Sequence, residues 1–408
     1  MMRIISSLLA PTLLVGTLAA TLAACPDREV ARVDPRQNRE QEKEIPVQIN
    51  RNIDILFVID NSGSMREEQA SLTANFNRFI NVLNGIEGGL PNVHIGVVST
   101  DLGAGPYGIM GCTGNGDNGV LQNAPQGACD TSSPEPYIID LANEDGTRQT
   151  NYAGDLADAF SCVAELGTTG CGFEQPLESM RRALNGSNAQ NNGFLRDDAF
   201  LAVIIITDED DCSVEDVSMF DSNPALDNVG SPLGPLSSFR CFEFGVVCEP
   251  DTPRSAGPRQ NCVTRPNSQY MYGVEEYANF LKSLKADPAQ IIVAGIIGNP
   301  TPVVVGSKDD EPTLDASCTT AGTGDADPGV RLNSFLESFP QRNTSTTICN
   351  EDLSDALTVI ADLLAKVIGN PCIEGNLTLT DGEPECTVAD VRFLNQDGQE
   401  DKLSLIHI

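Results

Sequence analysis

The chain contains no tryptophan, only two histidines, and few basic residues: 25 Lys and Arg stand against 58 Asp and Glu, a formal charge of -33. A phosphate backbone needs a basic face, so this balance excludes nucleic acid as a partner. The same charge repels anionic headgroups, so any hold on a membrane has to come from a covalent lipid rather than from the surface. With only His94 and His407, histidine-based catalysis and His-rich metal sites are poorly supported. No Cys-x2-Cys pair occurs either, which removes the usual zinc spacing. What is present is enough for a core. Hydrophobic residues make up 40% of the 408 positions, sufficient for one large domain or two ordinary ones. The excess of acid then reads first as a well-hydrated exterior.

Residues 1–24 carry one charge, Arg3, ahead of an apolar run that is interrupted by Pro11 and Gly16 and ends Leu22-Ala23-Ala24-Cys25. A basic start, an apolar stretch and small residues before a cleavage point describe an export signal. The terminal Leu-Ala-Ala-Cys resembles the lipobox of bacterial lipoproteins, which implies that Cys25 is acylated and becomes the first mature residue. Pro26 following it lacks the Asp that marks inner-membrane retention, so the outer membrane is the expected address. Of the 13 cysteines, 12 then remain, and in an exported chain they read as disulfides rather than catalytic thiols. Cys162 with Cys171 is the most plausible local pair. Residues 25–51 are rich in Arg, Glu, Asp, Gln and Pro and read as a tether.

From Asn52 the texture changes. Ile53-Asp54-Ile55-Leu56-Phe57-Val58-Ile59 is a nearly continuous apolar run of strand length, as in a strand buried on both faces. Asp60-Asn61-Ser62-Gly63-Ser64 is turn chemistry, and Leu72, Phe76, Phe79, Ile80 and Leu83 then mark one helix face. Further strands are expected at 93–100, 137–141, 200–207, 290–298 and 345–348, and further helices at 152–166, 174–184, 274–285 and 331–339. A last helix carries Leu353, Leu357, Ile360, Leu364 and Val367. Strands alternating with helices predict an α/β fold: a doubly wound, mostly parallel sheet with helices on both faces. Its expected extent is 52–369, with 370–402 a C-terminal extension of short β structure. The final Leu403-Ser404-Leu405-Ile406-His407-Ile408 matches a reading frame of a transposon adapter used in sequencing libraries and is expected to be an artefact at the cut end of a longer gene.

Asp60, Ser62 and Ser64 end the first strand, where ligands of open α/β sheets bind. Taken alone, Asp-x-Ser-x-Ser also describes a capped helix start. The stretch Phe57-Val58-Ile59-Asp60-Asn61-Ser62-Gly63-Ser64-Met65 resembles the first segment of the metal-ion-dependent adhesion site of the von Willebrand factor A family. That family has two further segments, a threonine loop between helices and an aspartate after the fourth strand. Here Gly167-Thr168-Thr169-Gly170 and Asp208 occupy those places, with Thr169 preferred over Thr168. The resemblance implies one Mg2+, with Mn2+ or Ca2+ as alternatives, held by Asp60, Ser62, Ser64, Thr169 and Asp208. Hard cations of this kind take oxygen ligands. It further implies an open coordination position for a carboxylate from a protein partner, with no catalytic residue required. Strand directions bring all three segments to one sheet edge.

Three long insertions, about 102–136, 209–270 and 299–329, each follow the carboxyl end of a predicted strand and contain most of the remaining cysteines. They are expected to form a disulfide-braced cap over the metal edge, or else a merely variable surface. Glu174 and the run Asp208-Glu209-Asp210-Asp211 could tune the site or bind calcium nearby, but as sequence they favour a solvated loop. The leading expectation is a lipid-anchored binding module for adhesion. A metal-dependent hydrolase and a structural envelope lipoprotein are the alternatives.

Overall fold

The computed structural model describes residues 50–369, except 87, 124–125, 127–128, 130–134 and 321–323, together with short strands beyond residue 378. The export signal, Cys25, the tether, Cys372 and Cys386 lie outside the described residues. No described helix is long and apolar enough to cross a membrane.

Seven strands form the central sheet: β1 (Asn52–Ile59), β2 (Asn92–Ser99), β3 (Ile138–Ala142), β4 (Arg148–Thr150), β5 (Phe200–Thr207), β6 (Ile291–Ile297) and β7 (Asn343–Thr347). Their order is β7-β6-β5-β1-β2-β3-β4. Every pairing from β7 across to β2 is parallel, and β3 and β4 add an antiparallel edge. Among the described residues seven α-helices accompany them: α1 (Arg66–Asn84), α2 (Leu156–Ala164), α3 (Pro176–Leu184), α4 (Phe239–Gly245), α5 (Val274–Ser283), α6 (Val330–Glu337) and α7 (Ser354–Gly369). The expected mixed α/β fold with a mostly parallel sheet between helices is what forms.

Both faces of the sheet are covered because strand side chains alternate. Ile53, Ile55, Phe57 and Ile59 pack with α1, α2 and α7, where Phe57, Phe76, Phe79 and Phe160 form one aromatic cluster. Leu56 and Val58 face α3, α5 and α6 on the other side. Helix starts follow local chemistry more closely than apolar spacing does. The helix expected over 152–166 begins only at Leu156, because the Asp155 side chain accepts from the Ala157 N–H and fixes the cap there. The one expected from 174 begins at Pro176, a residue suited to the first turn of a helix.

Near the amino ends of the strands, Asp54 is bound on both oxygens by Arg196, and His94 lies beside it with its Nδ1–H donating to the Phe194 carbonyl at 2.9 Å. Burial lowers the His94 pKa to about 4. The unfolded chain takes up this proton near pH 6.5, so the stability held by a neutral ring is present above that value and is lost as pH falls toward 4. Asp54, raised to about 6 by burial, acts in the opposite sense. The His94 contribution is therefore read as a difference. His94→Gln should remove at most about 3 kcal/mol of the stability lost on going from pH 7 to pH 4. Urea melts of both proteins at several pH values check this, and equal pH slopes would refute it.

The insertions build a second layer that the sequence did not announce. Val246–Glu249 and Gly257–Thr264 from the second insertion pair with Val303–Lys308 and Glu311–Asp315 from the third in one four-stranded antiparallel sheet. Five disulfides brace the described chain: Cys112–Cys171, Cys129–Cys162, Cys212–Cys241, Cys248–Cys262 and Cys318–Cys349. The expected Cys162–Cys171 pair does not form. Cys162 sits on α2 and pairs with Cys129 beside the α1/α2 core, whereas Cys171 is buried among insertion residues with Cys112. Short spacing in sequence loses to the loop between them, which is pinned elsewhere, as shown below.

The third insertion is fastened at Gly298, where the chain leaves β6. The Asp327 N–H donates to the Asp208 carbonyl at 2.8 Å, and a Cβ at Gly298 would overlap the Asp327 carbonyl oxygen. Both sides of that collision are backbone, so Gly298→Ala should cost about 1–3 kcal/mol and loosen this strand of the cap. A thermal melt within error of the parent would rule the collision out.

Candidate metal centre

Chain order reverses between β1 and β5, which lie side by side while their onward connections run to opposite ends of the sheet. Such a switch point leaves a crevice beyond the carboxyl ends of the two strands. Asp60 leaves β1 and Asp208 leaves β5 at that crevice. Ile59 is in register with Ile206, and the Asp60 N–H continues the ladder to the Ile206 carbonyl at 2.9 Å. Thr207 consequently points its hydroxyl at Asp60 Oδ2, 2.7 Å away, while Asp60 Oδ1 accepts the Ser62 N–H at 2.7 Å. Ser62 Oγ and Ser64 Oγ are 3.0 Å apart, and the Ser64 hydroxyl also bonds the Asp208 carboxylate. Four of the five expected ligands, Asp60, Ser62, Ser64 and Asp208, therefore form one cluster.

The threonine loop is drawn to the same place by groups that the sequence reading passed over. Gln69, one turn into α1, donates its amide to the carbonyls of both Asp60 and Gly167, and its oxygen accepts the Gly167 N–H. At the other end of the loop, the Gly170 N–H donates to the Asn61 carbonyl at 2.9 Å. A Cβ at Gly170 would overlap the Asn61 side-chain amide, so glycine permits this approach. Between these ties Thr169 is exposed and Thr168 half-buried. Both hydroxyls are available, and the choice between them stays open.

The surrounding carboxylates are not the solvated loop that the sequence favoured. Glu174 is fully buried and accepts the Thr100 hydroxyl. Asp210 accepts the Arg331 and Leu332 N–H groups and caps α6. Asp211 pairs with the Arg331 guanidinium at 2.9 Å and accepts the Ser213 hydroxyl and the Leu177 N–H. The tight turn after β5 thus sends Asp208, Asp210 and Asp211 to separate tasks. Alternation of charge and apolar residues could not have signalled this, because no apolar residue separates them.

The cluster is electrostatically incomplete. Burial raises the pKa of Asp60, and burial with the charge of Asp60 raises Asp208 to about 8. Glu174 is pushed well above the usual carboxylate range by burial first and Asp60 second, and Glu68 is raised by burial. Among the described residues no Lys or Arg offsets these four groups. Buried oxygens without a hydrogen-bond partner collect here as well: Asn61 Oδ1, Glu68 Oε2, Glu174 Oε1 and Asp208 Oδ1. Native proteins leave few such atoms, and a group of them calls for a missing cation or donor. Among the described residues, no three His, Cys, Asp or Glu side chains converge to hold a metal ion by themselves. An ion here would depend on the hydroxyls of Ser62 and Ser64 beside the carboxylates, a donor set of oxygens that suits a hard divalent cation.

A cavity of about 320 Å³ opens against Ser64 and Asp208, walled by Phe239 from the second insertion and by Leu314 and Asp327 from the third. The first insertion reaches the threonine loop through Cys112–Cys171. All three insertions therefore stand at the edge that carries the cluster, as the cap reading expected.

No family model and no curated protein matches the chain. Among solved structures, it is similar to proximal thread matrix protein 1 from the mussel byssus at 12% identity and TM-score 0.34, over 77% of this chain and 48% of that one. It is similar to a von Willebrand factor type A protein from Catenulispora acidiphila at 11% identity and TM-score 0.31, over 78% and 43% of the two chains. For BatB from Bacteroides thetaiotaomicron the identity is 10% and the TM-score 0.29, over 78% of this chain and 100% of that one. The chain spans less than half the length of the first two structures.

Proposed function

We propose that residues 52–369 are a von Willebrand factor A-type domain that captures a carboxylate-bearing protein partner through one divalent cation, magnesium foremost. The observation that carries this reading is Asp208, 5% exposed with its Oδ1 unpartnered, set among Asp60, Ser62 and Ser64 with no basic side chain among the described residues to neutralise it. Ser62, Ser64 and a threonine of the 167–170 loop would hold the ion as neutral oxygens, with Asp60 and Asp208 supplying the negative charge. Bound with so few anionic ligands, the ion would remain a good acceptor for an incoming carboxylate. Thr207 and the Ser62 N–H orient Asp60, and Gln69 holds the threonine loop in place. Every group named here is assigned to holding the ion or to orienting its neighbours, so binding rather than turnover is the reading.

Export and lipid anchoring through Cys25 to the outer membrane belong to the same proposal. They are supported by the N-terminal residues and by five disulfides, which persist in oxidising compartments. Calorimetry of chelator-stripped protein with Mg2+, followed by capture from an envelope extract with and without chelator, tests the function. Capture that is indifferent to chelator and to Asp60→Ala would defeat it. Turnover of a substrate panel that disappears with Asp208→Ala would move the reading to a hydrolase.

A further inference from the structure

The cavity beside the candidate metal centre has a character of its own. Beyond Asp208, its walls carry the carboxylates of Glu209, Asp325 and Asp327 and the apolar surfaces of Phe239, Pro312 and Leu314. No Lys, Arg or His is among its lining residues. Asp208, 5% exposed and with its Oδ1 unpartnered, is one of the lining residues. Among the described residues that line it, the pocket gathers carboxylates and offers nothing of the opposite sign.

Two kinds of occupant could supply that sign, a second metal ion or an organic cation. A small metal ion needs carboxylates converging within about 2.0–2.6 Å of one point. No three acidic side chains converge that way among the described residues. They are spread around about 320 Å³, at the lower end of the range for ligand pockets, about 300–1,000 Å³. An alkyl stem would lie along Phe239, Pro312 and Leu314 while its charged head met the carboxylates, as lysine and arginine side chains do when they cross apolar surface. The Phe239 ring adds an aromatic partner for a cation.

We propose that this cavity is a receptor for a lysine or arginine side chain of the partner, placed beside the position where the metal centre takes an acidic one. The recognised surface would then present a basic residue next to an acidic residue. The acidic half rests on the function proposed above, whereas the basic half rests on the cavity.

Agmatine, a guanidinium on an alkylamine stem, is a direct probe. Binding to the disulfide-intact, Mg2+-loaded protein is followed by saturation-transfer NMR, with 1,5-pentanediol as the uncharged control. The expected result is saturable agmatine binding, weakened by at least about five-fold in Asp325→Asn/Asp327→Asn, with no pentanediol signal. Mg2+ uptake should be unchanged in that variant. Asp325 is exposed, so Asp325→Asn alone gives a smaller weakening in a chain whose folding is not in question. Agmatine binding that is absent, or equal in parent and variants, overturns the pocket. Saturable agmatine binding in a parent that takes up no Mg2+ would instead sustain the pocket and remove the metal reading. Random heptapeptides displayed on phage and selected on the Mg2+-loaded protein identify the source. Enrichment of Lys or Arg beside Asp or Glu supports a protein side chain, and enrichment of acidic residues alone overturns it.

Discussion

Asp208→Asn is expected to stabilise the metal-free protein and to abolish its stabilisation by magnesium. In chelator the parent holds Asp208 5% exposed, with Oδ1 unpartnered and Asp60 and Glu68 as like-charged neighbours. An uncompensated buried carboxylate costs about 2–4 kcal/mol, and an amide of the same shape does not carry that charge. Asn at this position should therefore melt higher than the parent when both are stripped. Adding millimolar Mg2+ should reverse the order, because a ligand that binds only the folded state adds stability in proportion to the logarithm of its concentration over Kd. Differential scanning fluorimetry of both proteins in chelator and in Mg2+ reads all four values. A variant that melts lower than the parent in chelator would mean that Asp208 supports the fold rather than a cation. Sites of this kind trade stability for function, and the crossing of the two melting orders is the signature of that trade.

Arg331→Leu is the other large effect, of opposite sign and with no metal dependence. The guanidinium of Arg331 is 1% exposed, pairs with the fully buried Asp211, and donates to the carbonyls of Tyr272 and Gly245. One side chain thereby joins α6, the turn after β5 and the end of the second insertion. Removing it leaves Asp211 buried with only Ser213 and the Leu177 N–H as donors. Breaking a buried pair from one side typically costs about 3–5 kcal/mol, a large part of the stability of an ordinary domain. Arg331→Leu should accordingly lose most of its cooperative unfolding transition under reducing conditions, while the double variant Asp211→Leu/Arg331→Leu recovers part of the loss. Equal melts for parent and single variant would show that the pair contributes nothing.

The contrast between these two acids, three residues apart, shows what the sequence could and could not carry. Strands such as Phe200–Thr207 are legible because burial on both faces demands an unbroken apolar run. The position of Asp60 and Asp208 at one edge followed from strand direction alone. The separate tasks of Asp208, Asp210 and Asp211 did not, since each is set by which backbone or guanidinium the turn happens to face. The expected Cys162–Cys171 pairing failed for the same reason. Cys162 and Cys171 are nine positions apart in sequence, but Gln69 and Asn61 pin the chain between them, so each cysteine meets a partner from the first insertion. Gln69 itself was hidden by helical spacing, where a polar residue one turn into α1 looks like solvent-facing surface. The joint sheet of the second and third insertions was equally out of reach, because it pairs residues 44 to 48 positions apart through short strands with weak alternation.

The two halves of the site also differ in how the chain holds them. Asp60 and Thr207 are fixed by the ladder of the central sheet, which makes that corner rigid. The threonine loop and the cap lie outside that ladder and rest on separate backbone bonds, side-chain ties and disulfides. That arrangement allows loops to vary while the corner at Asp60 is kept.

The most direct test of the central claim is a crystal structure of the protein grown with Mn2+, with anomalous data collected at the manganese edge. One peak per chain is predicted, enclosed by Ser62, Ser64, Asp60, Asp208 and the 167–170 loop. An unoccupied crevice at saturating Mn2+, or a peak elsewhere on the acidic surface with none between Ser62 and Asp208, would contradict it.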